Sequence, residues 1–469
     1  MARDARPASV PTSAPDIGAD SHIRFVYAGL LFATLGGFAL AVWLPVQAAL
    51  GHMDVSWLAA AQVHGHLQVA GFVGLFVLGV ATKLAPRFGS GHLAHPALVD
   101  GAFWCLLAGL FARGVGQPFA SHMPFASLMA IGAALEFAGA AMYAGSVALT
   151  LRPSIPKGMP NALLMCSGMV WLVAQAALGV VWFSQLALDG ASVLRSDRDG
   201  LLVSIQFFGF LFGVFAGVGL RSFPSFFGMP QPSARMGHAV FASLQGGLLF
   251  WAGGSLLAIG DVDAQRAVAA GQTLVGVAML LLMSTFGWWR RETRFAVASQ
   301  PLAWPLRATL AMLTLTGLLL CGSGIEALVR GGVISSARLD AIRHIFALGV
   351  ITQGIVAMAQ LILPEFASER FARPPRRWRG VVLAAALTGA VVLRGFVPLA
   401  GVSGDARLWS MAAGGVLGLA AIAAFGVLFL RARRTHLAYL SRVAVWRTQA
   451  LPTTDGLPPM RAEGPPGLR

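Results

Sequence analysis

Three of the ten histidines in this chain stand at the start of long apolar runs, where imidazole could bind a metal or carry a proton. His64 and His66 begin one run and His344 begins another. A proline follows at the same spacing in both runs, Pro86 after His66 and Pro364 after His344. At about 1.5 Å per helical residue, this spacing is roughly 30 Å, the thickness of the hydrocarbon core of a bilayer. The spacing therefore predicts that His66 and His344 lie at the same depth in a membrane.

The two runs belong to an internal repeat with a nearly fixed offset. The first copy recurs twice further along the chain, with matching Gly, Phe, Gln and Pro positions. The three copies span 64–88, 206–226 and 344–366. A fixed period indicates a repeated structural unit. At the position of His66 the second copy has Ser204 and the third has His344, and this pattern is the strongest functional signal in the sequence.

The composition is that of a membrane protein that crosses the bilayer many times. The 469 residues are 57% hydrophobic and 11% charged, with a mean hydropathy of +0.72. A soluble protein of this length needs far more charged surface. Twelve apolar segments reach spanning length. They lie near 26–47, 59–84, 98–117, 123–150, 161–187, 201–223, 238–260, 266–289, 304–328, 341–363, 379–401 and 408–431.

Twelve segments with a repeat of about 140 residues predict three units of four helices. We expect an all-α integral membrane domain over 23–435, with repeats near 23–152, 153–300 and 301–435. The polar stretches 1–22 and 436–469 are predicted to be disordered cytoplasmic tails. Many twelve-helix transporters consist of two halves of six helices, a symmetry that three units of four do not fit.

The net charge of +15 follows the predicted membrane topology. With the N-terminus inside, 25 of the 34 Lys and Arg residues fall on the inner side. This bias predicts a bacterial inner-membrane protein with both termini cytoplasmic. Its partners would be the lipid bilayer and anionic headgroups, not nucleic acid. The three cysteines are isolated in apolar runs and form no metal motif.

Two imidazoles at one depth on repeat-related helices could be the axial ligands of a haem iron. Neutral imidazole binds iron well, and an apolar shell would set the reduction potential. The alternative for each histidine is a polar residue at the membrane interface, hydrogen-bonded to the backbone. The matched placement in two repeats favours the haem interpretation, and ionisable groups inside a membrane are usually functional. The sequence therefore predicts His66 and His344 as axial ligands of a haem iron.

His64 requires a separate interpretation. Two positions along a helix correspond to about 200° of rotation, so His64 and His66 face opposite ways. A regular helix cannot bring both to one ion. His64 is thus a candidate ligand of copper or of a second haem, or a polar residue at the interface.

Arginines at the same predicted depth could pair with haem propionates. The candidates are Arg338, Arg343, Arg394 and Arg407. Arg343 adjoins His344, and Arg394 stands near the end of the eleventh segment. Guanidinium groups pair with carboxylates through two parallel hydrogen bonds. The alternative for each is extension of the side chain to lipid headgroups.

Two acidic residues fall within apolar segments. Glu136 lies in the middle of the fourth segment and Glu326 near the end of the ninth. Both are predicted to be buried. For Glu136, a neutral hydrogen-bonded carboxyl is favoured over a role in a proton path.

These motifs resemble those of a known superfamily. Twelve helices with haem-ligand histidines on helices two and ten are similar to subunit I of the haem–copper oxidases and nitric oxide reductases. Within that group the chain is most similar to the NnrS family, membrane proteins that hold haem and copper and are tied to nitric oxide metabolism. The resemblance covers 24–432. Its motifs are His64-Gly65-His66, Gly71-Phe72, Gly79-Val80, Arg343-His344 and Gly349.

Departures from the oxidase pattern bear on the chemistry. The Phe-Phe-Gly motif at 207–209 is followed by Phe210, where the oxidases have a copper-ligating histidine. The seventh segment lacks the adjacent histidine pair, and Ile342 stands where the high-spin haem ligand would be. The chain also departs from the NnrS family, having Leu-Pro-Glu-Phe at 363–366 in place of a Gly-His-Thr-Gly-Arg-like motif. The resemblance thus implies one bis-histidine haem and no oxidase-type dinuclear centre.

The first interpretation is an NnrS-like b-type haem protein in nitric oxide metabolism or tolerance, with copper as an additional candidate cofactor. Nitric oxide or an electron donor would be its partner, with or without catalytic turnover. The alternative, from a different class, is a membrane transporter or a haem/copper delivery factor. Its support is the number of helices and the presence of Glu136.

Overall fold

Helices make up the fold, as expected for a chain whose backbone must be hydrogen-bonded inside lipid. The computed structural model describes residues 21–260, 263–289, 301–372 and 377–450, and these contain helices and connecting loops but no strands. Twelve of the helices are long and apolar enough to cross a membrane. The predicted all-α class and the predicted number of spanning segments are confirmed.

The bounds of the spanning helices agree with the predicted segments to within several residues, except that α12 continues well beyond its predicted end at 431. The first six are α1 Ser21–Ala49, α2 Val55–Phe88, α3 Pro96–Phe119, α4 Met123–Ser154, α5 Pro160–Leu188 and α6 Ser196–Phe227. The second six are α7 Ala234–Ile259, α8 Gln265–Phe286, α9 Ala303–Arg330, α10 Ser336–Ile362, α11 Trp378–Leu399 and α12 Gly404–Ala450.

The three helices that carry the sequence repeat are the most buried. In α2, α6 and α10, 78%, 83% and 89% of the most apolar stretch is buried, against 39–56% in the other nine spanning helices. A helix apolar on all sides belongs in the interior, whereas outer helices expose one face to lipid. The repeated helices therefore form the centre of the bundle.

Each central helix widens into a π-helical segment at the same place in the repeat. These segments are Leu67–Gly74, Ile205–Leu211 and Ile345–Thr352, and they begin at equivalent positions of the three copies. Two more π-helical segments occur at Ala33–Phe38 in α1 and Val392–Phe396 in α11. Such segments are rare and often accompany functional sites. The sequence repeat thus carries a shared backbone irregularity as well as shared residues.

Glycines allow neighbouring helices to approach closely at two places. A Cβ atom built on Gly79 would lie 2.9 Å from the carbonyl oxygen of His22, and one on Gly71 would lie 2.9 Å from the Phe32 ring. A tighter approach joins α7 and α8, where a Cβ on Gly271 would lie 2.4 Å from the backbone nitrogen of Trp251. Small residues at such crossings are typical of membrane helices.

Replacing Gly271 by alanine is expected to lower stability by about 1–3 kcal/mol, because the added methyl group would force two backbones apart. Gly253 in α7 is the matched control, since a Cβ there would meet no atom within 4 Å. Gly253→Ala should be neutral or slightly stabilising, because alanine is the better helix former. Thermal unfolding of the two variants in detergent tests this difference. Equal midpoints would contradict the close packing of α7 on α8.

Buried charges connect three elements at the end of the bundle that holds both chain termini. Glu365 lies in a short helix, Pro364–Ala372, and is fully buried. Its Oε1 accepts a hydrogen bond of 3.2 Å from NH1 of Arg433 in α12. His22, at the start of α1, is also buried, with its Nε2 3.6 Å from the same oxygen. The residues at 363–366 that depart from the NnrS pattern thus take part in an ion-paired contact with the final helix.

The predicted tail boundaries are corrected at both ends. Ser21 and His22 are buried in α1, and α12 continues to Ala450, so neither 21–22 nor 436–450 is a disordered tail. Leucine, alanine and arginine between 436 and 450 are strong helix formers, which explains why the helix continues beyond the apolar segment. The remaining tail predictions, 1–20 and 451–469, lie outside the described residues.

Candidate functional site

A cavity of about 450 Å³ opens between helices at the end of the bundle opposite the chain termini. Its volume falls within the roughly 300–1,000 Å³ typical of sites for cofactors and small molecules. All five of the π-helical segments given above contribute to its wall: Phe38, Gln68, Phe207, Leu348 and Arg394 come from α1, α2, α6, α10 and α11. The widened backbones of five helices therefore converge on one space.

His64 and His344 both line this cavity. The Nδ1 atom of His64 donates to the carbonyl oxygen of Gly37 at 2.9 Å, and that of His344 donates to the carbonyl oxygen of Asp340 at 2.8 Å. A carbonyl oxygen can only accept, so each bond fixes the tautomer with hydrogen on Nδ1. Among the described residues, neither Nε2 atom has a hydrogen-bond partner. Each imidazole therefore presents an Nε2 lone pair, the usual arrangement of a metal-binding histidine.

His66 does not line the cavity and has other partners. Its Nε2 donates to Oε1 of Glu136 at 2.9 Å, and NH1 of Arg113 donates to its Nδ1 at 3.1 Å. Arginine has no acceptor atom, so Nδ1 must accept and the ring is neutral. Because both ring nitrogens are engaged, the predicted pairing of His66 with His344 at one iron is corrected. The structure places His64 with His344 instead.

Matching positions in the repeat do not place two side chains in one space. His66 contacts Arg113 of α3 and Glu136 of α4, whereas His344 lines the large cavity.

His66, Glu136 and Arg113 form a buried polar cluster, which we call the Glu136 cluster. Arg113 is 4% exposed, lies 3.9 Å from Oε2 of Glu136, and stacks 3.8 Å from the centre of the Phe183 ring. Its Nε also donates to Gln117 at 3.4 Å. Burial and hydrogen bonding of Glu136 are confirmed. Its partner is a buried arginine, so the cluster balances one positive and one negative group, and Glu136 is not the neutral acid predicted.

Three of the four arginines predicted to pair with propionates line the cavity, whereas the fourth, Arg338, pairs with Glu326 instead. NH2 of Arg343 donates to the carbonyl oxygen of Gly200 and to Oγ of Ser204, both at 2.7 Å, while its Nε is buried without a partner. NH1 of Arg394 donates to Oδ2 of Asp340 at 3.4 Å. Nε of Arg407 is buried without a partner. Buried donors that lack acceptors are uncommon in folded proteins and indicate a missing acceptor.

The structure adds two cavity residues that sequence reasoning missed. Asp340 holds His344 through its carbonyl oxygen and Arg394 through its carboxylate, and Asp199 also lines the cavity. Asp340 stands four residues before His344, a spacing at which helical side chains meet, so the sequence contained a signal for it. Asp199 belongs to a different repeat and carried no such local signal.

Glu326 is not a buried acid as predicted. Its side chain is 35% exposed and pairs with Arg330 at 2.8 Å and with Arg338 at 2.5 Å. Both arginines lie within reach at the end of the bundle, so the carboxylate remains at the surface.

The side chains available as metal ligands limit which metal or cofactor the cavity could hold. In the described part of the chain, no three or more His, Cys, Asp or Glu side chains are grouped so that they could hold a metal ion. A haem iron needs only axial ligands from the protein, whereas a protein-bound copper ion needs a set of about three or four. The pair of cavity imidazoles thus matches the ligand requirement of a haem iron.

The chain matches no protein-family model, and no curated protein is significantly similar to it in sequence.

Proposed function

We propose that this protein binds one haem b in the large cavity, between His64 and His344, and acts in nitric oxide metabolism or tolerance. The observation that carries the haem proposal is the pair of cavity histidines with tethered Nδ1 atoms and unpartnered Nε2 atoms. The nitric oxide role rests on the resemblance of the sequence to the NnrS family.

The cavity has the charges that a haem would need. A haem b carries two carboxylates, and the three arginines of the cavity can pair with them. The unpartnered Nε atoms of Arg343 and Arg407 provide donors for this purpose. The two cavity aspartates offset part of the positive charge.

The chain's own residues would fix and shield the bound group. The carbonyl oxygens of Gly37 and Asp340 orient the two imidazoles and increase their basicity, as hydrogen bonds to metal-binding histidines do. Apolar walls that include Trp57, Phe207 and Leu348 keep water away, and the local polarity sets the reduction potential. A haem with two imidazole ligands supplies reversible one-electron transfer.

The proposed architecture is three four-helix arcs, similar to subunit I of the haem–copper oxidases. Its support is the central position of the three repeated helices and the shared start of their π-helical segments. The proposed orientation has both termini in the cytoplasm of a bacterium and the cavity at the outer side, as the distribution of Lys and Arg favours.

Spectroscopy of the purified protein tests this proposal. We expect about one iron and one haem b per chain, with a sharp α-band on reduction, since both axial positions are filled. A strain lacking the protein should grow more slowly under nitric oxide, and wild-type protein but not His344→Ala should restore growth. A colourless, iron-free protein from haem-sufficient cells would contradict the haem proposal and favour the transporter or delivery-factor alternative.

A further inference from the structure

A second cavity, of about 70 Å³, lies among the three central helices, and we call it the axial cavity. Of the residues that the structure describes, only those of α2, α6 and α10 line it. Three sets of repeat-equivalent positions all face it. The sets are Phe76, Val214 and Gly354; Val77, Phe215 and Ile355; and Val80, Val218 and Met358. Equivalent residues can share one space only on the axis that relates the repeats, so the cavity lies on that axis.

The wall of the axial cavity is almost entirely apolar. All fifteen lining residues are aliphatic, aromatic, methionine or glycine. They belong to helices, whose backbone groups are bonded within each helix. A buried water needs about two to four polar partners, and this wall offers almost no polar surface. We therefore expect the cavity to hold no ordered water, although a space of about 10–15 Å³ already admits one.

The position of the cavity places it next to the proposed haem site. Leu348 lines the large cavity and Ile351 lines the axial one, a little further along α10. Phe207 and Leu211 are related in a similar way in α6. At about 1.5 Å per residue, roughly 5 Å along the helices separates these walls.

We propose that the axial cavity binds a small nonpolar gas molecule. A dry void deprives its walls of dispersion contacts, and a small apolar guest restores them without losing hydrogen bonds to water. A volume of about 70 Å³ suits a molecule of a few atoms and not a lipid tail or a large ligand. Such gases concentrate in the hydrocarbon of a bilayer, so the bundle is exposed to them. This inference stands whether or not the large cavity holds haem.

Xenon is the probe for this site. With the protein in lipid nanodiscs under xenon pressure, we expect a saturable bound resonance in ¹²⁹Xe NMR. In the same wild-type sample, xenon should shift the methyl resonances of Met358 and Ile355, and leave those of Met123, a surface methionine at the far end of α4, unchanged. This second readout needs no variant.

Two substitutions fill the cavity from different helices. Val80→Phe and Val218→Phe occupy equivalent positions of the repeat, and each should abolish the bound resonance. Val170→Phe is the matched control because Val170 is 65% exposed on the lipid-facing side of α5, and it should leave xenon binding unchanged. The inference is overturned if wild-type protein gives no saturable resonance, if the methyl shifts do not centre on Met358 and Ile355, or if both folded cavity-filling variants still bind xenon.

Discussion

Protein purified with His64 replaced by alanine is expected to lose its haem, whereas protein with His66 replaced by alanine is expected to keep it. His64 lines the large cavity with His344 and directs its Nε2 away from the Gly37 carbonyl. His66 has both ring nitrogens occupied by Glu136 and Arg113. If the cavity holds haem as proposed, removing either His64 or His344 would leave the iron a single histidine ligand.

The measurement is haem content per chain together with the reduced α-band. His64→Ala and His344→Ala should fall from roughly one haem per chain to near zero, or change from a six-coordinate low-spin to a high-spin spectrum. His122, an exposed histidine in the loop between α3 and α4, provides the control, and His122→Ala should match wild type. The opposite result, loss in His66→Ala and retention in His64→Ala, would restore the pairing predicted from sequence and refute the site between His64 and His344.

The sequence contained enough information for the scaffold. The lengths of the apolar segments predicted twelve spanning helices, and the repeat predicted three related helices. Both properties can be recognised from consecutive residues of the sequence. Val80 and Val218, which match in the repeat, both line the axial cavity. The equal depth of His66 and His344, inferred from their spacing to Pro86 and Pro364, stays a prediction.

The direction in which each histidine points could not be read in the same way. Sequence equivalence suggested that His66 and His344 form a pair, yet the structure gives the equivalent residues different surroundings. His66 contacts Glu136 and Arg113, His344 lines the large cavity, and the hydroxyl of Ser204, the third equivalent residue, accepts from Arg343 of α10. His64 shares the cavity of His344 because His64 and His66 project from opposite sides of α2 and so reach different spaces.

The sequence also could not predict which residues, distant along the chain, form hydrogen bonds or ion pairs with the site residues. The bond from His64 to Gly37 depends on the π-helical segment Ala33–Phe38, in which Gly37 lies. The spacing of residue types along the chain does not predict π-helical segments, because these segments arise from packing between helices. The pairing of Glu136 with Arg113 similarly joins two helices and has no local spacing to identify it.

Replacing Glu136 by alanine is expected to cost about 3–5 kcal/mol of stability, because it leaves the buried Arg113 guanidinium without its carboxylate. Its remaining direct contacts, Gln117, the Phe183 ring and the His66 ring, carry no negative charge, and the nearby carboxylate Asp199 makes no hydrogen bond to it. Unfolding in detergent by heat or denaturant provides the measurement. Glu326→Ala is the control, since that carboxylate is partly exposed and its loss should shift the midpoint little.

A compensating substitution separates lost charge balance from lost packing. Arg113→Met combined with Glu136→Leu removes both charges and should recover much of the stability lost in Glu136→Ala, because apolar residues of similar size often replace a buried ion pair without penalty. Haem content should remain near wild type in the folded variants, since the Glu136 cluster lies outside the large cavity. If Glu136→Ala were as stable as Glu326→Ala, Arg113 would have to be neutralised by some other group. If Glu136→Ala instead lost haem while remaining folded, the Glu136 cluster would influence haem binding in the large cavity. The short stretch of α2 from His64 to His66 would connect the two.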